Sequence, residues 1–471
     1  MTINLPESVK KIIAILKQAG YDAYAVGGCV RDSLLDREPD DWDITTSALP
    51  EQVKQLFKRT IDTGIKHGTV TVLMKPDSMK AYARQHVKEH IKEQNAKELS
   101  SPAWETYEVT TYRIDGEYED SRHPKEVSFT DNLMEDLKRR DFTINAMAFN
   151  EEAGIVDAFS GMEDLKKGII RAVGNPEERF TEDALRMMRA VRFAAQLGYE
   201  IEEETKKAIK KLAYTLKNIS GERIQTELVK LVMSNHPEQM RLLYTTGVTG
   251  IIMPEFDLAM ETEQNHPHHC YSVGEHIIHS MEAVDNQKVL RLTMLFHDIG
   301  KPLKHTVEAD GYDHFHGHAE KSADIARDIL KRLKFDNDTI DRVTRLVLYH
   351  DYKIEPEKKY VRRAIHKIGE DIFPDYLQVQ RADIAAQSDY MRKEKLERLE
   401  AVERLYEEII RNQECVSLKT LALKGDDLME EGIKPGREMG IILKEMLELV
   451  LEDNTRNNRK FLLEYLKNRN N

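Results

Sequence analysis

Two aspartates one residue apart, Asp41 and Asp43 in VGGCVRDSLLDREPDDWDI (residues 26–44), are side chains whose spacing suggests chemistry. Alternate side chains of a strand share a face, so a short strand here would hold both carboxylates one pleat apart on the same side. Like charges held that close are unfavourable unless a cation lies between them, and a divalent metal is the natural candidate. Glu108 in YEVTTYR shares a strand face with Thr110 and Tyr112 and would supply a third carboxylate. Three such groups make a two-metal cradle, in which one ion activates an attacking hydroxyl and the other stabilises a triphosphate and its leaving pyrophosphate. Gly27 and Gly28 would let backbone N–H groups approach phosphates, and Arg31 adds charge. Alone, an Asp-x-Asp is more often a solvated turn or a helix cap, and Gly-Gly says less still.

Two later stretches supply what such a cradle needs. RRDFTINA (residues 139–146) places Arg139, Arg140, Asp141 and Asn145 ahead of and within an apolar run, the pattern of polar groups lining a cleft wall. In EDALRMMRAVRF (residues 182–193), Asp183, Arg186, Arg189 and Arg192 recur every three residues. On one helix that stripe drifts by about 60° per step and covers a broad side. A salt-bridged helix face would explain one Asp–Arg pair, worth only ~0.2–0.5 kcal/mol. Three arginines to one aspartate leave an excess of cation, which favours phosphate. Asp183 and Arg186 could also read a base. Cytosine and adenine each present an amino donor beside an unprotonated ring nitrogen, whereas uracil and guanine reverse that pattern. A mismatch of this kind costs ~1–3 kcal/mol, so the pair would admit C and A and reject U and G.

The elements that must position these groups follow from periodicity. The first ~170 residues alternate helical and strand-like runs, the pattern of an α+β domain. TVTVLM (residues 69–74) and YEVTTY (residues 107–112) read as strands, being rich in β-branched and aromatic residues. A charged excursion from Lys75 to Glu105 separates them and reads as largely helical. Helical periodicity takes over from about Val173, and the stretch beyond Met391 is charged and helical, ending in NRNN. At 471 residues the chain exceeds one ordinary core. A net charge of −13 argues against indiscriminate nucleic-acid affinity but leaves room for a local basic groove. The three cysteines, Cys29, Cys270 and Cys415, lack paired spacing, which points to a reducing, cytoplasmic setting. No apolar run approaches a membrane span, and no signal-peptide core is expected at the N-terminus.

In order, VGGCVRD, DWDI, YEVTTYR, RRDFTINAMA, VDAFSGMEDLKKGIIRAVG, EDALRMMRAVRF and GERIQTE closely resemble the class II tRNA nucleotidyltransferase/poly(A) polymerase family over residues 26–227. The resemblance implies a polymerase-β-like nucleotidyltransferase head with a mixed sheet (residues 1–172) and an all-α neck and body (173–260). It implies Mg²⁺ on Asp41 and Asp43 with Glu108 as third carboxylate, Gly28 and Arg31 on the triphosphate, and Arg140 and Asp141 near the ribose. Asp183 and Arg186 would template the base, with Arg189 and Arg192 on phosphates. Asp115–Pro124 looks like the flexible loop of members that complete the whole CCA end. The 75–105 excursion is longer than the family's usual turn and reads as a solvated helical decoration.

Ten of the seventeen histidines fall between His266 and His318. VGEHIIHSM, FHDIGKP, HFHGHAEKSAD, YHD and RADIAAQ look like a complete α-helical HD phosphohydrolase domain (residues 261–390), followed by a helical tail (391–471). Adjacent His297 and Asp298 can chelate one metal, and His276, His318, His350 and Asp383 would complete one or two sites for Mn, Fe, Ni or Mg. His279, His305 and His316 read as packed or solvated. Together these features predict a cytoplasmic enzyme that adds CCA to tRNA 3′ ends from CTP and ATP, with a fused phosphohydrolase and no obligatory protein partner or membrane association. A poly(A) polymerase or A-adding enzyme is the alternative within the fold, and a phosphohydrolase with a nucleotide-sensing head is the alternative outside it.

Overall fold

The structure, a computed structural model, describes residues 3–75, 104–116 and 127–469. Most of the 75–105 excursion and of the Asp115–Pro124 loop therefore lies outside the described residues, as does the NN terminus. The four segments expected from the sequence fall into two compact units, Met1–Arg223 with Thr245–Ile251, and Ile224–Tyr244 with Ile252–Asn471.

Unit 1 opens with α1 (Glu7–Gln18), which buries Val9, Ile12, Ile13 and Leu16 at helical spacing. A mixed sheet of seven strands follows: β1 (Ala23–Val26), β2 (Asp43–Thr46), β3 (Thr60–Gly64), β4 (Thr69–Met74), β5 (Glu105–Thr111), and then β8 (Met147–Asn150) and β9 (Gly154–Asp157) after a separate hairpin of β6 (Arg113–Asp115) and β7 (Val127–Phe129). Its order is β3-β4-β5-β2-β1-β8-β9. The pairings are antiparallel except β2 with β5, which run parallel with Asp43 opposite Glu108. One face of the sheet buries Val70, Val72 and Val109, the β-branched residues that favour a pleated, packed surface. The TVTVLM strand lies where the sequence predicts it, and YEVTTY is shifted to Glu105–Thr111.

Two local expectations are corrected. Asp41 is not in a strand: β2 begins at Asp43. The antiparallel partner is lost at that point, because Gly27 (φ 85) turns the chain from β1 into α2 (Gly28–Leu34) and pairing with β2 starts only at Ala25↔Ile44. The 182–193 stripe is not one helix either. A helix over Pro176–Glu182 ends, Asp183 is extended (φ −138, ψ 104), and a second helix runs over Leu185–Leu197. Asp183 Oδ1 accepts a hydrogen bond from the Leu185 N–H at 3.0 Å, and such short-range side-chain capping starts a new helix rather than continuing the old one.

Unit 2 is helical apart from a short hairpin of Thr306–Val307 with Asp313–His314. Helices Val273–Ala283, Lys288–Phe296, His318–Arg332, Asn337–Tyr349 and Phe373–Ala385 carry the histidine-rich block. Leu346, Val361, Ile365, Phe373 and Tyr376 belong to one buried apolar cluster, and Leu421, Leu428, Met446, Val450 and Leu462 to another in the C-terminal helices. Among the described residues no helix is long and apolar enough to cross a membrane.

Candidate active site and a buried histidine constellation

In unit 1 the parallel register of β2 and β5 brings Asp43 beside Glu108, on the sheet face not filled by the valines. Both carboxyls are held above the ordinary carboxylate value. For Asp43 the main cause is the removal of water by the surrounding cleft, although its rim stays exposed; Arg140 opposes the shift and Asp41 adds to it. For Glu108 the causes are burial, then the charges of Asp43 and Asp41. Asp43 and Glu108, held above their ordinary values in a water-poor cleft with Asp41 adding negative charge, are a set that a divalent cation would relieve, and their hard oxygen donors suit Mg²⁺.

Cationic groups line the same cleft. An added Cβ on Gly27 would lie 3.0 Å from Arg140 Nη1, so only glycine, which also tolerates the positive φ, admits the guanidinium this close. Arg140 Nε is buried without a hydrogen-bond partner, while its Nη2 lies 3.5 Å from Asp136. Gly28 starts α2, and on that helix Arg31 is buried, donating to Asn145 Oδ1 at 2.8 Å and to both oxygens of Asp32. Phe193 gathers Arg31, Arg189 and Arg192 around its ring at 5.0, 5.5 and 3.8 Å.

Asp141 is buried and accepts from the Arg189 guanidinium at 2.6 and 2.8 Å, from its neighbour's N–H and from Asn145. Burial raises its pKa, but Arg189 outweighs that and holds the carboxyl down to about 2. Arg192 is buried and donates to Gln196. Asp183 Oδ2 accepts from Arg223 at 2.7 Å. Arg186 donates to Glu182 at 2.6 Å and to the carbonyls of Arg179 and Arg139. The spacing of Asp183 and Arg186 in sequence does not reveal their anchors, Arg223 in GERIQTE and Glu182 in EDALRMMRAVRF, which only the fold brings to them.

Unit 2 concentrates the six ligand candidates in one buried cluster. His276 Nε2 lies 2.9 Å from Asp383, 3.1 Å from His297 Nε2 and 3.4 Å from Asp298. His318 and His350 approach each other at 3.2 Å, and each lies 3.4 Å from Asp298 Oδ1, which has no hydrogen-bond partner. Backbone carbonyls fix the rings from behind: His297 Nδ1 pairs with Met294, His318 with Phe315 and His350 with Val347. All three rings thereby direct Nε2 inward, the usual orientation of ligating imidazoles. Burial and then Lys301 act on Asp298, with the cation holding its pKa well below the usual range. Lys301 lies 2.7 Å from Asp298 and donates to Gln264, and it is a buried group the sequence reading did not single out although FHDIGKP contains it. His297 is pushed up to about 10, burial being outweighed by Asp298 and Asp383. Two ligand triads, His276/His297/Asp298 and Asp298/His318/His350, share one carboxylate, and the donors fit one or two divalent ions.

Comparison with known proteins follows the same division. Residues 23–171 match the poly(A) polymerase head domain, 198–260 a probable RNA- and SrmB-binding site of polymerase A, and 312–466 a putative tRNA nucleotidyltransferase domain 2. The last stretch includes His318, His350 and Asp383 but not His276, His297 or Asp298. A CCA-adding enzyme of Levilactobacillus brevis is 35% identical over 94% of both chains, and one of Lactobacillus helveticus is 48% identical over 54% of this chain. The matched stretch spans only 57% of that second relative, and 52–56% of three others. The crystal structure of the Bacillus stearothermophilus CCA-adding enzyme in complex with CTP is 29% identical and covers 98% of this chain and 97% of that one, with a TM-score of 0.68. The fold is shared as well with the Thermotoga maritima CCA-adding enzyme complexed with tRNA, at 18% identity, covering 99% of this chain and 96% of that one, with a TM-score of 0.58. A nucleotidyltransferase head on a mixed sheet followed by a helical body is thus the class that fold and cleft define. The chain belongs to the family of CCA-adding enzymes and poly(A) polymerases.

Proposed function

We propose that this protein appends C, C and A to the 3′ end of tRNA from CTP and ATP without a template strand. The observation that carries the reading is the in-register pair Asp43–Glu108 with Asp41 beside it and Arg140 across the cleft. Asp41, Asp43 and Glu108 would hold Mg²⁺, which when bound lowers the pKa of the RNA terminal hydroxyl and neutralises charge on the triphosphate. Arg31 stabilises the nucleotide's phosphates, Arg140 lies near its ribose, and the terminal hydroxyl attacks the α-phosphate in line with the departing pyrophosphate. Asp183 is held by Arg223 and Arg186 by Glu182, so the two template groups are oriented before a base arrives. A carboxylate keeps a lone pair on each oxygen for the amino donor of C or A after Oδ1 accepts from the Leu185 N–H and Oδ2 from Arg223.

The experiment is to supply tRNA ending at its discriminator base with CTP alone, ATP alone or both, and to resolve products at single-nucleotide length. Two additions with CTP and a third only when ATP is present support the reading. Long A tails support a poly(A) polymerase instead, and no extension supports a nucleotide-sensing head.

A second activity rests on the histidine constellation: metal-dependent hydrolysis of a phosphate ester by an HD-type site of His276, His297, Asp298, His318, His350 and Asp383. Six converging donors and a buried Asp298 oxygen that accepts no hydrogen bond favour it. Release of phosphate from a generic phosphomonoester, or ring opening of a cyclic phosphodiester to its monoester, in Mn²⁺ and after chelation, tests it.

A further inference from the structure

The hairpin of Thr306–Val307 and Asp313–His314 carries a group of side chains that neither proposed activity uses. Its strands pair antiparallel, Thr306 opposite His314 and Val307 opposite Asp313, and Gly311 at φ +79 lets the chain reverse. Three residues of the hairpin and the loop after it then converge. His316 Nε2 lies 2.9 Å from Glu308 Oε1, and His314 Nε2 lies 3.8 Å from Glu308 Oε2. Asp310 Oδ2 is 3.0 Å from the same His314 nitrogen. The two imidazoles stack with centroids 5.5 Å apart and planes inclined by 15°. One ligand atom from each of Glu308, His314 and His316 lies within 4.8 Å of the other two.

An exposed His–carboxylate pair adds little stability, and a single pair needs no second ring. Here two ring nitrogens address the two oxygens of one carboxylate, and a second carboxylate, Asp310, flanks the less exposed ring, His314. Two imidazoles and a carboxylate are a donor set that borderline-soft Zn²⁺ takes with a position left open. His316 is 78% exposed and Glu308 47%, so an ion can reach the group from solvent.

We propose that Glu308, His314 and His316 form a solvent-facing site for a divalent transition-metal ion, Zn²⁺ by its donor set, with Asp310 as a flanking carboxylate. The site is separate from the buried constellation. His314 and His316 precede Gly317 (φ +74), which starts the helix whose first residue is His318, so an ion held here would brace the segment leading to that buried ligand. His316, read from sequence as packed or solvated, gains a specific role.

The test uses the full-length chain, stripped of metal and titrated with Zn²⁺ by calorimetry, with bound metal counted after dialysis. His314→Ala, His316→Ala and Glu308→Gln should each remove one equivalent of Zn²⁺ or weaken it at least tenfold, with tRNA extension unchanged. His297→Ala should leave that equivalent in place, so the outcome does not depend on whether the buried cluster is a hydrolase. Tetrahedral Co²⁺ absorption that survives His297→Ala and disappears in His316→Ala gives a second readout. Wild-type stoichiometry and affinity in all three hairpin variants would overturn the proposal and leave an ion-paired surface.

Discussion

The carboxylate cleft of unit 1 and the histidine cluster of unit 2 are built on opposite principles. In the cleft, like charges face one another: Asp43 and Glu108 sit side by side on adjacent parallel strands, and each is held above its ordinary pKa. In the cluster, opposite or complementary groups are already joined, with Asp298 and Asp383 held below theirs by Lys301 and the histidines. The first arrangement waits for an external cation and substrate to stabilise it. The second is internally satisfied save for one Asp298 oxygen, and a metal there must displace protons and existing hydrogen bonds. Preorganised repulsion in one region and preorganised pairing in the other mean that mutations should act on activity in the first and on both activity and stability in the second.

The largest effect that would separate the two is on chemistry. Asp43→Ala should lower nucleotide addition by about 10³-fold or more, as expected when charge stabilisation at the reacting phosphates is lost, while leaving any metal-dependent phosphatase rate intact. Single-turnover extension and phosphate release measured on the same preparation check it, and loss of both would break the division. Next, Asp298→Ala should spare extension but destabilise unit 2 by ~3–5 kcal/mol, because Lys301 and several imidazoles lose the carboxylate they surround. Urea unfolding of the metal-free protein measures this.

A smaller change concerns selectivity. Asp183→Ala should narrow the preference for CTP over UTP by about tenfold or more, corresponding to ~1–3 kcal/mol of lost discrimination, visible in kcat/KM for single additions. Arg223→Gln should narrow it less, since it only orients Asp183.

The smallest effect is a pH dependence. Asp141, held down to about 2 by Arg189, contributes stability that is fully present above the unfolded value of 3.8 and is lost as pH falls through about 2. Asp43 has the opposite sign, its raised pKa making the metal-free head relatively more stable as pH falls through the folded value. Asp141→Asn should therefore flatten the acid limb of the stability curve, and Asp43→Asn should steepen it, both followed by circular dichroism melts.

The blocks that name the family were legible because each is a local string: two glycines before an arginine, an Asp-x-Asp, three arginines at spacing three. The helical character of unit 2 and the TVTVLM strand were legible from periodicity for the same reason. What was not legible is where a local pattern yields to its neighbours. Asp41 leaves the strand where Gly27 withdraws the antiparallel partner of β2, and Asp183 leaves the helix because its own side chain caps the next one.

Sequence by itself determined which donors this protein owns and in what order they come, since residue type alone sets charge, hardness and hydrogen-bonding capacity. Only the tertiary structure decided which of them meet. Glu108 reaches Asp43 through a strand register set 65 residues away, and six ligand candidates spread from His276 to Asp383 converge because helices bury apolar faces and carry their histidines inward with them.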